Sequence, residues 1–395
     1  MVVPSAAPAS WRRRLGLERR VAALASALLV YGFGEELWSR YLPAYLRAMG
    51  GSALLIGVFG TVRDFLDAAY AWPGGVLSDR FGTHRSLLIV AGLSTAGFAI
   101  YLCWGSPAGV FVGLVFVMAW RSLGLPATFA LIGEELDDGR RIAGFTVQAV
   151  LKRIPVVVAP PLGGLLLERL GIRSGMKAGF AISILLSLVM LARLSRALRP
   201  DSEAGAGAGA PEPVRLHPSL RRLLVADCLV RLCEGLPDVF LVLWAMEIVK
   251  VSPVEFGLLT SILTITAIAS YFPAAALAEK AEKKSFVVLT YVFFSLFPLA
   301  VVLSRSFAGL AAAFAIGGLR EIGEPARKAL IVELSNPRAR GRTAGLYYTI
   351  RGFAVAGAAA IGGALWTVRP ALTFVVAALL GVLGTGWAAR SLRPR

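Results

Sequence analysis

Histidine and cysteine are nearly missing from this sequence. Of 395 residues, two are histidine (His84, His217) and three are cysteine (Cys103, Cys228, Cys233). With no cluster of either type at ligand spacing, zinc and haem chemistry have no donor set. Cysteines inside apolar runs do not make a disulfide framework. Charge is scarce too: 16% of residues are charged against 57% hydrophobic, too little polar side chain to cover a soluble protein of this length. A Gly-rich loop ending in Lys-Ser/Thr is also lacking. The stretch Gly205-Ala206-Gly207-Ala208-Gly209 is low complexity without that ending, so the chain does not read as its own ATPase. No cofactor and no metal are expected.

Long apolar runs are what the sequence has in quantity. Segments of about 20 residues, the length that spans a bilayer, recur almost end to end. They fall near 21–46, 53–78, 86–104, 108–133, 142–167, 178–194, 223–249, 256–278, 286–304, 308–334, 343–366 and 371–389. The runs are continuous rather than alternating, which excludes a membrane barrel. The expected fold class is therefore all-α: a polytopic membrane protein of twelve transmembrane helices. Residues 195–221, with Pro200, Pro211, Pro213 and the Gly-Ala repeat, cannot bury a core and are expected to be a linker. It divides an N-terminal half (21–194) from a C-terminal half (222–395), behind an N-terminal segment (1–20).

The net charge of +17 is not a nucleic-acid footprint, because the bases sit mostly in short loops between runs. Arg80, Arg85, Arg140, Arg141, the linker, Lys280, Lys283, Lys284, Arg338, Arg340, Arg342 and the tail fall on one side. This bias predicts that both termini are cytoplasmic, in a cell inner or plasma membrane. The basic N-terminal segment (Arg12, Arg13, Arg14, Arg19, Arg20) precedes a run too long, and too acidic at its centre, for a cleavable signal peptide.

The two halves repeat each other. Asp79-Arg80 after the second run matches Glu279-Lys280 after the eighth, 200 residues on. Arg121-Ser122-Leu123-Gly124-Leu125-Pro126-Ala127 matches Arg320-Glu321-Ile322-Gly323-Glu324-Pro325-Ala326, and Gly163-Gly164 matches Gly362-Gly363, both 199 residues on. Two related six-helix halves imply pseudo-twofold packing around a cavity near the midplane of the bilayer.

On these residues the chain resembles the major facilitator superfamily of secondary transporters. The loop Gly75-x-x-x-Asp79-Arg80-x-Gly82-x-x-Arg85 is similar to that superfamily's motif between its second and third helices, with Thr83-His84 where a second basic residue is common. In the second half the equivalent glycines are replaced by Ala275 and Glu282. The resemblance covers essentially the whole chain and implies twelve helices and alternating access. Ala159-Pro160-Pro161-Leu162-Gly163-Gly164 resembles the tail of the fifth-helix motif of drug:proton antiporters, without its upstream glycines. Arg121 with Gly124 resembles the fourth-helix arginine motif of the same exporters, with the glycine one residue early. Both imply export. The loop glycines permit a tight turn, and Asp79 just past the helix end can bond a helix N-terminus or pair with a base in a neighbouring helix, so that Gly75, Asp79, Arg80, Gly82 and Arg85, with the second-half counterparts Glu279 and Lys280, would form a gating latch. The bland alternative is that these bases only set topology.

Charges inside the runs are the stronger functional signal, because an ionised group at bilayer depth costs at least about 2.5–3.5 kcal/mol without a partner or a wet cavity. Asp227, Arg231, Glu234 and Asp238 follow at spacings of four, three and four, one face of a helix. Arg63 and Asp67 are one turn apart, as are Arg320 and Glu324, with Arg327 extending the stripe; these read equally as neutralised pairs locking helices together. Asp227, near a helix end, reads as an interface residue. Glu35, Glu36, Arg121, Lys152, Arg153, Arg231, Glu234 and Arg351 lie near mid-span, and with Arg63, Asp67, Arg320 and Glu324 they form the candidate translocation set. The basic members can hold an anion, and Glu35 or Glu234 can carry a coupling proton.

The expected function is secondary active transport of a small organic solute by alternating access, as proton-coupled export, by a monomer. The competing reading within transport is proton-coupled import of an organic anion. Two readings of another class are a membrane-embedded transferase, for which no intramembrane histidine is present, and a sensor on a transporter scaffold, which would carry a soluble signalling domain.

Overall fold

The computed structural model describes residues 19–123, 138–197, 216–278, 283–334 and 340–391. Among them the secondary structure is entirely helical, and each of the twelve predicted spans is represented by helix. The first half comprises α1 (Arg19–Glu36), α2 (Leu42–Ala48), α3 (Ala53–Cys103), α4 (Pro107–Met118), α5 (Asp138–Leu170) and α6 (Ile172–Ala197). The second comprises α7 (Pro218–Asp238), α8 (Pro253–Ala278), α9 (Lys283–Leu303), α10 (Phe307–Gly318), α11 (Glu324–Glu333), α12 (Arg340–Ala356), α13 (Ala358–Val368) and α14 (Pro370–Ser391). Six stretches of the described helix are long and apolar enough to cross a membrane.

Several spans that read as continuous are broken. The first divides at a 3-10 turn, Ser39–Tyr41, and resumes with Pro43 in the first turn of α2, where its missing N–H costs nothing. The seventh ends as α7 at Asp238, just after Pro237, and continues through a wide π turn, Trp244–Val249. The eleventh is interrupted at Gly357, between α12 and α13. In contrast, the second and third spans are almost one element. The turn predicted between them shrinks to Gly82, the one non-helical residue in α3 (φ 76°, ψ 164°). That conformation is closed to residues with a Cβ. The Ser86 hydroxyl donates to Leu77 O across the break at 2.8 Å. Asp79 thus lies within the helix rather than past its end.

The duplication read from the repeats extends to the caps. Ser106 caps α4 through Gly109 N (3.3 Å), and Ser306 caps α10 through Gly309 N (3.2 Å). Ser52 accepts from Leu55 N and Ser252 from Glu255 N, each at 3.2 Å. Each pair is 200 residues apart. Such capping satisfies N–H groups left open by the first helical turn.

The chain forms two compact units. One comprises Met1–Ser39, Ala69–Ala159 and Lys177–Ala208; the other comprises Arg40–Ala68, Pro160–Met176 and Gly209–Arg395. They do not coincide with the halves 21–194 and 222–395, since pieces of α3 and α5 pack within the second unit.

In the first unit Trp38 is the packing centre. Its ring meets Phe98, Tyr101 and Phe180 edge-on at 5.2–5.7 Å, and its Nε1 donates to Ser183 Oγ at 2.9 Å. Ser183 in turn donates to Gly34 O and Gly179 O (2.7 and 2.9 Å). In the second unit α7 is central: its Leu223 and Val230 share a buried core with Val287, Phe294 and Tyr347. Gly381 and Gly384 let α14 approach α7: a Cβ there would sit 2.9 Å from Cys233 Sγ and 2.8 Å from Val230 Cγ2. In lipid, helices gain nothing by burying apolar surface from tails, so close contact through small residues is what joins them. Outward faces are apolar. On α14, Val375, Leu379, Val382, Leu383 and Trp387 form an exposed stripe, a surface suited to hydrocarbon rather than water.

Candidate functional site

The buried charges of the second unit converge on α7. Asp227, with 1% of its side chain exposed, is the hub. Its Oδ2 accepts from Arg327 Nη1 (2.6 Å), Tyr347 Oη (3.0 Å) and Arg351 Nη1 (3.2 Å). Its Oδ1 accepts from Tyr291 Oη (3.5 Å) and lies 3.9 Å from Arg231 Nε. The residue expected to be an interface group therefore ties α7, α9, α11 and α12 together.

One turn along α7 the network continues. Arg231 reaches Glu234 Oε2 (2.7 Å) and Glu324 Oε2 (3.5 Å). Glu234 Oε1 lies 3.5 Å from Arg320 Nη1. Glu324 accepts both ends of the Arg327 fork (2.7 and 3.0 Å) and lies 3.6 Å from the exposed Lys328 Nζ. The one-turn pair expected between Arg320 and Glu324 is thus replaced by crossed pairings. Each guanidinium also lies over a ring: Arg231 and Arg320 over Phe294 (5.1 and 5.0 Å), Arg320 over Phe297 (4.6 Å), Arg351 and Arg327 over Tyr348 (4.7 and 5.9 Å). Such stacking holds the fork flat with its N–H edge free for carboxylates.

The α7 stripe then divides. Asp238 leaves the network and pairs with Arg63 Nη2 of α3 at 2.7 Å, while the same nitrogen meets Asp64 Oδ1 at 2.9 Å. Helical spacing had pointed Arg63 toward Asp67, whose side chain is exposed. Nearby, α3 and α5 meet second-unit helices through glycine. A Cβ on Gly57 would stand 2.5 Å from Ala359 O, and one on Gly363 2.8 Å from Ala53 O. A Cβ on Gly257 would stand 2.6 Å from Pro160 O, and one on Gly164 2.4 Å from Pro253 O. The Tyr41 hydroxyl spans the second crossing, 2.8 Å from both Pro160 O and Pro253 O. Pro160, Pro161 and Gly164 therefore act as a packing surface for α8, with Gly163 beside them on α5. The two crossings are copies: Gly57 corresponds to Gly257, and Gly164 to Gly363. Arg47 and Glu247, also 200 residues apart, pair at 3.1 Å.

The first unit carries a smaller cluster. Glu35 ends α1 with Glu36, whose Oε2 accepts weakly from Ser39 Oγ (3.5 Å). Lys152 on α5 is within electrostatic reach of Arg121 and Glu35, and Arg153 follows it on the same helix. Arg121 sits in a π turn, Ala119–Leu123, and its counterpart Arg320 in a 3-10 turn, Leu319–Glu321. Both arginines thus project from places where the α ladder is broken, a frequent setting for functional side chains. The Tyr31 hydroxyl shares a 2.5 Å bond with Ser94, beside the Trp120 ring at 4.9 Å.

In the repeated loop, Arg80 and Arg85 are exposed, Arg80 lies over the Phe81 ring (5.6 Å), and Gly75 is within helix. The Asp79 side chain, and Glu279 and Lys280 altogether, lie outside the described residues. Among the described residues no group of three or more His, Cys, Asp or Glu side chains is placed to hold a metal.

Sequence reasoning passed over Tyr291, Tyr347, Asp64, Gly57, Gly257 and Tyr41. The two glycines were within reach, since the 200-residue offset pairs them. Nothing in spacing links the tyrosines to Asp227, because they arrive on other helices.

Comparison with known proteins gives the same assignment from three directions. An uncharacterized MFS-type transporter of Methanocaldococcus jannaschii is 20% identical over 93% of each chain. The multidrug resistance protein MdtH of an Enterobacter species is 26% identical over 82% of this chain and 79% of its own. Among solved structures, the nucleoside transporter NupG superposes with a TM-score of 0.80 over 94% of this chain and all of its own, at 9% identity, a likeness of fold alone. The family model described as Major Facilitator Superfamily matches residues 24–233 and 223–395. With the family model covering both duplicated halves, this protein is an integral membrane transporter, not an enzyme, and belongs to the Major Facilitator Superfamily.

Proposed function

We propose that the protein is a proton-coupled exporter of a small organic solute, with Glu234 as the principal proton carrier. The observation that carries this reading is the state of Glu234 among its neighbours. Its two oxygens are held by two different arginines, and 32% of its side chain is exposed, against 1% for Asp227 and 18% for Glu324. It is the carboxylate of the network that water reaches most easily. Protonation removes the charge that holds Arg231 and Arg320, and deprotonation restores it, so one proton switches a contact within α7 and a contact between α7 and the turn after α10. Glu35, beside Arg121 and Lys152, is the corresponding group of the first half. Export is supported by similarity to a multidrug resistance protein and by the motif tails at Arg121 and Pro160–Gly164.

In this reading the halves 21–194 and 222–395 rock about a site near mid-membrane, joined by the linker 195–221. Both termini are cytoplasmic, in the cell's inner or plasma membrane, and one chain suffices. The glycine crossings at Gly57 and Gly257 then lie at the outer end and must part to release solute. The loop from Gly75 to Arg85, with Glu279 and Lys280, is the inner latch. A pocket in which Arg121, Arg320 and Arg351 converge with no free carboxylate nearby would favour the import reading. Arg320 and Arg351 are instead engaged by Glu234 and Asp227.

The test is transport by purified protein in proteoliposomes under an imposed pH gradient, with drugs, sugars and organic acids as solutes. Glu234→Gln is expected to abolish the response to the gradient, and Glu35→Gln to weaken it. Intact pH-driven transport in both variants would overturn the assignment.

A further inference from the structure

Three helix ends of the second unit gather bases without acids. Arg221 and Arg222 lie exposed near the start of α7, and Arg390 lies exposed in the last turn of α14. Leu220 of α7, Val287 of α9 and Ala388 of α14 share one buried core, so the three ends meet at one level. Lys284, half-buried, stands one turn before Val287 on α9. Neither α9 nor α14 contains an Asp or a Glu. The acid of α7 nearest this end is Asp227, which is buried and taken by Arg327, Tyr347 and Arg351. The exposed arginines therefore meet no accessible carboxylate on these helices.

An apolar stripe runs up to these bases. The exposed residues of α14 from Val375 to Trp387 fall on one helical face, and Arg390, three positions after Trp387, continues it. At about 1.5 Å per residue the stripe rises about 18 Å, close to the hydrocarbon depth of one leaflet. Trp387, 45% exposed, stands where the stripe ends. Its Nε1 donates to the Arg222 carbonyl oxygen at 3.2 Å, which ties α7 to α14 one turn from Arg390. An indole with an apolar body and a bonded N–H suits the headgroup level of a bilayer.

We propose that this end is a binding site for an anionic phospholipid, with the phosphate on Arg222 and Arg390 beside Trp387 and an acyl chain along the α14 stripe. Arginine forks match phosphate oxygens, and bases grouped at the ends of membrane helices recognise anionic headgroups. Topology alone would place bases on one side of the membrane. It would not set them beside a bonded indole, at the head of an apolar stripe one leaflet deep. A free phosphate would use only the bases, and a neutral lipid only the stripe; an anionic phospholipid uses both. Glu234 takes no part, so the inference holds whichever way transport runs.

Lipid binding to the full chain in a neutral detergent tests this. The probes are phosphatidylglycerol, phosphatidylcholine and soluble glycerol 3-phosphate, with bound lipid counted by native mass spectrometry. Phosphatidylglycerol is expected to be retained where phosphatidylcholine is not, and glycerol 3-phosphate is expected not to displace it at equal concentration. Arg222→Gln with Arg390→Gln is expected to weaken phosphatidylglycerol binding at least about fivefold, the contribution of one base at an anionic surface. Arg169→Gln with Arg369→Gln, which removes two exposed arginines at other helix ends, is expected to leave it unchanged. Equal retention of the two lipids, equal losses in the two double variants, unchanged binding in the first, or displacement by glycerol 3-phosphate each overturns the inference. One measurement needs no variant. A phosphatidylglycerol with a photoactivatable diazirine in its chain is expected to label α14 between Val375 and Trp387 in the unaltered protein, and labelling confined to other helices would count against the site.

Discussion

Asp227 and Arg327, a hundred residues apart in the chain, form a 2.6 Å ion pair with 1% and 2% of their side chains exposed. No other ion pair described is buried as deeply on both sides. Its partners come from four helices, so it acts as a structural knot beneath the more accessible Glu234. Removing one side strands a buried charge, which typically costs about 3–5 kcal/mol, whereas replacing both with apolar residues costs far less. Asp227→Asn and Arg327→Gln are each expected to lower Tm sharply, and Asp227→Leu with Arg327→Met to recover most of the loss. Thermal unfolding in detergent reads this, and additive losses in the double variant would contradict it.

Arg63 ties α3 to α7 through Asp238 with side chains about a third exposed, so water screens the pair and its stability contribution stays below about 1 kcal/mol. Its importance should show in transport instead. Arg63→Gln is expected to reduce flux with little change in Tm, and Arg63→Asp combined with Asp238→Arg to restore part of it. Failure of the exchange to restore any flux would show that the pairing is not what matters at these positions.

The glycine crossings give a paired expectation. A Cβ at Gly57 or Gly257 overlaps backbone atoms at 2.5–2.6 Å, and overpacking of this kind costs about 1–3 kcal/mol. Each alanine variant should push the crossing apart, and the two should resemble each other because the positions are copies. Labelling of Tyr41→Cys by a membrane-impermeant maleimide, with Cys103, Cys228 and Cys233 replaced by serine, is expected to rise in both. Labelling that stays at the parent level would mean the end does not open there.

Ser183 offers a check on the first unit. Its hydroxyl serves Trp38, Gly34 and Gly179 at once. Ser183→Ala leaves the buried indole N–H without its acceptor, a loss of about 1–3 kcal/mol. Ser183→Thr, which keeps the hydroxyl, should be milder if its methyl group is accommodated. A shift in Tm for the alanine variant no larger than that of an exposed serine such as Ser195 would refute this role.

The membrane class, the twelve spans and the duplication were legible in the chain because each is a one-dimensional property. Span length follows from bilayer thickness, and a repeat is visible as an offset. The offset even foreshadowed Arg121 and Arg320 in matching broken turns, and it would have paired Gly57 with Gly257 had it been followed further. Helical spacing also brought Arg231 and Glu234 together correctly, since both lie on α7.

Spacing failed wherever two helices compete for one charge. Arg63 and Asp67 suit each other along α3, yet Asp238 arrives from another helix at 2.7 Å. Arg320 and Glu324 suit each other across one turn, yet the break at Leu319–Glu321 turns Arg320 toward Glu234. Asp227 looked peripheral because its place along the helix says nothing about Tyr291, Arg327, Tyr347 and Arg351 closing over it. By itself the sequence determined that charged side chains would lie at bilayer depth and on which helices. Only the tertiary structure decided which of them neutralise one another, because electrostatic energy depends on distance in space, and neighbours in space here are a hundred residues apart in the chain.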